Sequence, residues 1–338
     1  MATINGGNFS IDFDQLDVTS FLLGTITVSA AGQFSTTDSG ITDSFFGNFT
    51  YSNGHLTGGV MIRLQEVYQG QVVFDITGVN LPVTTFLQWA LTGDDAAARA
   101  YILAGADSLA GSSLGDIIRG LTGADSIAGG DGNDTLDGGD GADIVNGNLG
   151  NDVIFGGPGL NYLRGDEGND SITGGADFDD INGNMGNDTA SGGDGDDWVV
   201  GGKDNDLLNG DNGNDIVYGN LGNDTCIGGE GGDLIRGGQG DDSLSGGNGN
   251  DWLSGDRGND TLSGGAGADV FHSFSGAGTD RVIDFSVAQG DRVQLDQGTV
   301  YAVNQVGGDT VIDMGNGDQV ILIGVTASAL PAGTIFLI

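Results

Sequence analysis

Carboxylates recur along this chain with a period of nine. In nineteen consecutive nonapeptides, from residues 102–110 to residues 264–272, the sixth position is Asp in eighteen and Asn161 in the other. The candidate metal ligands are Asp116, Asp125, Asp134, Asp143, Asp152, Asp170, Asp179, Asp188, Asp197, Asp206, Asp215, Asp224, Asp233, Asp242, Asp251, Asp260 and Asp269. Glycine dominates positions one, two and four of the repeat. It permits backbone angles closed to other residues, so a short turn can curl and aim its carbonyl oxygens inward. Carboxylate and carbonyl oxygens together suit calcium, which takes about six to eight hard oxygen ligands. Zinc would ask for Cys or His, and the chain offers only Cys226, His55 and His272.

The elements that must carry these turns follow from the other positions. Position eight is apolar in all nineteen repeats, with Ala190 and Cys226 the smallest. Positions seven to nine read as a short strand, whose period of two sends position eight inward and its neighbours outward. Leu136, Val145, Ile154, Leu163, Ile172 and Ile181 open that inner ladder. Cys226 falls on it and reads as a small core residue.

The repeat, GGDGNDTLD at residues 129–137 and GGAGADVFH at 264–272, follows the pattern GGxGxDxUx. Over about half the chain it resembles the hemolysin-type calcium-binding (RTX) repeat family. The resemblance implies an all-β fold dominated by a parallel β-roll. In such a roll two nonapeptides form one coil, so repeats n and n+2 stack on one edge. Each calcium then sits between two stacked turns, held by both aspartates and several turn carbonyls. Paired in this way, sixteen strong turns offer about fourteen sites, a dozen or more ions.

Charge agrees. The chain carries 48 acidic and 9 basic residues, a net charge of -39. Such a polyanion repels nucleic acid phosphates and anionic lipid, so neither is an expected partner. Residues 102–272 hold 32 Asp and Glu against 5 Lys and Arg. Without a divalent counter-ion these turns repel one another and lose much backbone entropy on ordering. Binding and folding should therefore be one event.

Three regions are expected: a β-rich N-terminal domain at 1–101, the roll at 102–272 and a β cap at 273–338. In the first, Phe45–Tyr51, His55–Tyr68 and Gln71–Val79 alternate as strands do. Val83–Leu91 and Asp94–Leu103 read as two short helices. The cap string Asp280-Arg281-Val282-Ile283-Asp284-Phe285, with Gly290-Asp291-Arg292-Val293, resembles that of RTX exoproteins. A hairpin is expected from Gly308 to Val325. The apolar end, Thr334–Ile338, resembles an uncleaved type I secretion signal. Residues 1–20 lack a basic stretch and do not read as a signal peptide. No run of eighteen apolar residues exists. The resemblance therefore implies a protein exported from a Gram-negative bacterium through type I secretion machinery.

No catalytic constellation stands out. HExxH is absent. Gly111-Ser112-Ser113-Leu114-Gly115 matches GxSxG, yet it lies in repeat register and Ser113 has no evident His. His55 and His272 read as surface residues. The expectation is a non-enzymatic secreted calcium-binding protein with a structural or adhesive role at the cell surface or in matrix. The alternatives are a diffusible effector acting on host membranes and an enzyme of unrecognised type. One outward stripe exceeds what the repeat needs. Trp198, Ile216, Leu234, Trp252 and Val270 occupy position seven of successive rungs on one sheet. Such a surface needs a cover. That cover is either another part of this chain or a second copy, giving self-assembly.

Overall fold

The computed structural model describes residues 105–338, together with the backbone of six strands between residues 3 and 82. Those strands are Thr3–Gly6, Thr25–Ser29, Gln33–Asp38, Ile41–Ser52, His55–Tyr68 and Gln71–Pro82. From the second onward each pairs antiparallel with the next. The two helices expected at Val83–Leu91 and Asp94–Leu103 lie outside the described residues.

The chain divides into Met1–Pro158 and Gly159–Ile338. Both contain a parallel β-solenoid with the same register, in which strands eighteen residues apart pair within each unit. In the first unit Ser126–Asp131 pairs with Ile144–Leu149, and Thr135–Asp137 with Val153–Pro158. In the second, one sheet runs from Asn161–Glu167 through Trp198–Lys203, Ile216–Leu221 and Leu234–Gln239 to Val270–Ser273. The other runs from Ser171–Ala176 to Thr261–Ala266. An offset of two nonapeptides returns the chain to the same edge, so consecutive repeats alternate between the sheets.

The core is the position-eight ladder. All nineteen of its residues, Leu109 to Phe271, are 0–2 % exposed. Cys226 is one of them and is a free thiol. Burial pushes its pKa up, and neighbouring carboxylates add to the shift.

The strands are longer than positions seven to nine alone. Most span six residues, from position seven to position three of the next repeat, as in Thr225–Glu230. Their burial alternates straight through the glycines, so position one is buried like position eight. The turn proper therefore shrinks to positions four to six.

The parallel ladder also continues past residue 272. Thr279–Val282 pairs with Thr261–Ala266, and Arg292–Leu295 with Val270–Ser273. The last strand, Ile335–Leu337, adds to Arg292–Leu295. An antiparallel hairpin, Asp309–Gly315 with Asp318–Leu322, falls where the sequence suggested one. The 3₁₀ turn Ala327–Ala329 is the one helical element among the described residues.

Candidate metal centre

The sixth-position aspartates form columns along the turns. Their carboxylates are 0–4 % exposed. From Asp188 to Asp269 each Oδ1 accepts the backbone N–H of the aspartate eighteen residues earlier: Asp197 N–H donates to Asp215 Oδ1 at 2.7 Å, and Asp215 N–H to Asp233 Oδ1 at 2.8 Å. The same bond joins Asp125 to Asp143, Asp134 to Asp152, and Asp170 to Asp188. One oxygen thus locks the stacking. In every repeat from Asp179 to Asp269, and in Asp125 and Asp134, Oδ2 is buried without a hydrogen-bond partner among the described residues. A buried orphan carboxylate oxygen is costly. A row of them at a fixed interval asks for a shared cause.

The glycine at position one shows where those oxygens point. A methyl built on Gly210 would lie 2.4 Å from Asp215 Oδ2 and 2.6 Å from the carbonyl oxygen of Gly228. Gly174, Gly219 and Gly246 repeat the arrangement with their own aspartates and stacked carbonyls. A carboxylate oxygen and a carbonyl oxygen from the next turn therefore converge on one small space that any side chain would fill. This corrects the sequence reading of position one. Left-handed backbone occurs at positions two and four, as at Gly193 (φ 111°) and Gly195 (φ 147°), but not at Gly192. Position one is glycine for room, not for angle. At position two Asn148, Asp166, Asn184, Asp211, Asn220 and Asp256 take the left-handed conformation instead, as short polar residues can.

Burial and neighbouring carboxylates shape the electrostatics. Desolvation, partly offset by the backbone N–H, pushes Asp179, Asp188, Asp206, Asp215, Asp242 and Asp251 up to about 7. Asp125, Asp134 and Asp197 are pushed up to about 6 for the same reason. Asp143, Asp224, Asp233 and Asp269 shift upward too. Such carboxylates need a proton or a cation near neutral pH. No three His, Cys, Asp or Glu side chains cluster among the described residues, so a metal here would depend on main-chain carbonyls for much of its shell. That is hard-oxygen chemistry, and the donors present fit calcium.

A sequence profile of the RTX calcium-binding nonapeptide repeat matches residues 110–145, 119–154, 155–190, 191–226, 227–262 and 245–282. Together these matches cover 110–282, just over half of the chain. The chain belongs to the RTX calcium-binding repeat family. RTX repeats bind Ca²⁺, and proteins that carry them are typically secreted. Among solved structures, the AlgE6R3 subunit of the Azotobacter vinelandii mannuronan C5-epimerase is 31% identical, with a TM-score of 0.27; the match covers 37% of this chain and 80% of that one. The extracellular lipase LipA of Serratia marcescens is 20% identical, with a TM-score of 0.29, over 58% of this chain and 40% of its own. Among curated proteins none matches.

Within the RTX columns not every position is alike. Asp116 Oδ2 accepts the Ser112 N–H at 2.5 Å. Asn161 donates its own N–H to Asp179 Oδ1 at 2.9 Å, keeping the stacking bond, while its Nδ2 turns to Gly159 O. The columns also run on where the sequence reading stopped. Asp260 N–H donates to Asp280 Oδ1 at 3.4 Å, and Asp269 N–H to Asp291 Oδ1 at 3.2 Å. Here the second oxygen is satisfied by protein, Asp280 Oδ2 by the Ser273 hydroxyl at 3.0 Å and Asp291 Oδ2 by the Ser286 N–H at 2.7 Å. The strings Asp280-Arg281-Val282 and Asp291-Arg292-Val293 keep the D-x-U spacing. The ladder offset there is 20 and 22 residues rather than 18, and the longer connections hide them from a period of nine.

The repeat region is structural. The Gly111–Gly115 stretch is a solenoid turn leading into the strand Ile117–Arg119, not the strand-to-helix elbow that exposes a nucleophile. His272 is not the open surface residue expected. Its side chain is 13 % exposed, 3.2 Å from Asp296 Oδ1, and stacked on Trp252 at 5.0 Å. Its Nδ1 lies 3.2 Å from Ser254 Oγ, but Ser254 is 0 % exposed and donates to Asp256 Oδ1 at 2.8 Å. That serine is no nucleophile. No described helix is long and apolar enough to cross a membrane.

Proposed function

We propose that the chain is an extracellular structural protein that calcium folds and stiffens, acting at the cell surface or in matrix. The sixth-position aspartates, from Asp116 and Asp125 to Asp269, serve as its ligands together with turn carbonyls. The observation that carries this reading is the unbroken row of buried, unpartnered Oδ2 atoms from Asp179 to Asp269. Low cytosolic calcium would keep the chain extended until it had crossed the envelope, where the ion both neutralises the columns and orders the turns. Export then follows a type I route with Thr334–Ile338 as its signal.

The test is retention. Producing cells in millimolar calcium should hold the protein on their surface or matrix and release it into the medium on chelation. Protein that stays diffusible in calcium and makes liposomes leak would replace this reading with that of a membrane-acting effector. Lateral association of folded units belongs to the same proposal. Trp198 is 43 % exposed on its sheet, whereas Trp252 is covered by His272, so any such contact centres on Trp198, Ile216 and Leu234. Light scattering of the parent and of Trp198→Ser in calcium decides it, since a monomeric parent removes association from the account.

A further inference from the structure

The solenoid of residues 159–338 carries a lengthwise groove on each sheet. Both grooves are lined mainly from positions nine, two and three of successive repeats, so the repeat itself makes them largely equivalent, and Phe274, past the last repeat, joins the second. Their side chains differ. The groove on the sheet of Thr189–Asp194 and Thr225–Glu230, about 770 Å³, is lined by Asp194, Asp211, Asn212, Glu230 and glycines, without a cation or an aromatic ring. The groove on the sheet of Trp198–Lys203 and Leu234–Gln239, about 630 Å³, is lined by Lys203, Tyr218, Arg236, Arg257 and Phe274, with side-chain amides between them. Three of the chain's nine basic residues thus line one groove of a polyanion. Neither calcium binding nor the position-eight core calls for them there.

The floor of this groove is fixed in place. Arg236 Nε and Nη2 both donate to Asp256 Oδ2, at 2.8 and 2.7 Å, and the guanidinium lies 5.6 Å from the Tyr218 ring centroid. The flanking cations are different. Among the described residues neither Lys203 nor Arg257 has a carboxylate within ion-pair distance, and Lys203 Nζ rests 3.6 Å from Met185 Sδ. Lys203 is opposite Leu221, Leu221 opposite Gln239, and Gln239 opposite Arg257. Three rungs separate the two charges, about 14 Å at the usual strand spacing. One small anion cannot reach both. An extended chain with repeated anionic groups can.

We propose that this groove binds a linear acidic polysaccharide, a chain of sugars bearing carboxylates along its length. Lys203 and Arg257 take two of those carboxylates. The Tyr218 and Phe274 rings take the apolar faces of the intervening sugars, and the amides and the Arg236–Asp256 pair take their hydroxyls. The proposal deepens the matrix reading above by naming a partner, and it requires only the calcium-folded roll.

The experiment is calorimetry on the full chain at fixed free calcium, with a galacturonic acid hexamer as probe and a β-linked glucose hexamer as neutral control. The parent should bind the uronate hexamer and not the glucose hexamer, with affinity falling as salt rises. Lys203→Gln with Arg257→Gln should weaken binding about tenfold, the scale of two exposed ion pairs. Both positions are exposed, so circular dichroism in calcium should be unchanged. Asp194→Asn with Glu230→Gln, on the opposite groove, should leave affinity as it was. No uronate binding at millimolar probe, equal affinity for the glucose hexamer, or full affinity in the double variant would each overturn the proposal. Calcium-dependent retention on cells without uronate binding would remove the groove and leave the matrix reading standing. Uronate binding without retention would do the reverse.

Discussion

Stripped of calcium and then acidified, the chain should recover β-structure. Six carboxyls, those of Asp179, Asp188, Asp206, Asp215, Asp242 and Asp251, are pushed up to about 7 in the stacked fold, against about 3.9 in an unfolded chain. The sign follows from those two values. Below pH 4 the groups are neutral in both states and the metal-free roll carries no charge penalty. As pH rises through 7 they ionise in a buried column, and that stability is lost. Each such proton contributes a slope of about 1.4 kcal/mol per pH unit between the two values. Six together give roughly 8 kcal/mol per unit as an upper bound, because like charges that interact titrate over a wider range. Whole domains are stable by only about 5–15 kcal/mol, so one or two pH units suffice to cross the transition. The assay is far-ultraviolet circular dichroism of dilute, chelator-treated protein from pH 8 down to 5, above the sequence pI of 4.1. Strand signal should rise as pH falls, and the apparent calcium affinity of the acid-ordered chain should fall with pH, since protons compete for the same oxygens. A spectrum that stays disordered from pH 8 to 5 in chelator would refute the reasoning that charge on these carboxylates is what keeps the metal-free roll apart.

Three further outcomes test other parts of the account. Gly210→Ala should raise the calcium midpoint of folding severalfold, because its methyl would intrude on Asp215 Oδ2 and Gly228 O, whereas Gly308→Ala, with nothing within 4 Å, should leave it unchanged. Cys226 should resist thiol reagents in calcium and react at the rate of a free thiol after chelation, since its place on the inner ladder is 0 % exposed; equal rates in both conditions would mean that the ladder does not need the metal. Deleting Thr334–Ile338 should abolish export through a type I channel while calcium-induced folding of the purified chain persists, and undiminished secretion would take the signal away from this segment.

Much of the roll was legible because a single period carries it. An apolar residue every ninth position, with aspartate two places before it, carries the resemblance to RTX repeats, and that resemblance implies the two-repeat coil. The observed eighteen-residue register, the buried ladder and the buried carboxylates all descend from that spacing. What escaped depended on contacts that a period does not encode. Glycine at position one looked like glycine at positions two and four, although only the latter two need a left-handed backbone. The first is glycine because Asp Oδ2 and a carbonyl from the next turn claim the space beside it. Asp280 and Asp291 were hidden by connections two and four residues longer than the repeat. Their pairing with Ser273 and Ser286 is set by irregular segments that no pattern announced. His272 read as an outward surface residue because its covering groups, Asp296 and Phe274, come from the aperiodic cap.

The central claim is that the orphaned carboxylate oxygens are calcium ligands. Long-wavelength anomalous diffraction from crystals of the full chain grown in calcium tests it most directly. The account predicts a file of anomalous peaks along each turn column from Asp179 to Asp269, each about 2.3–2.6 Å from an Oδ2 atom and spaced by one rung of about 4.8 Å. A folded roll with no anomalous peak at those oxygens would contradict it.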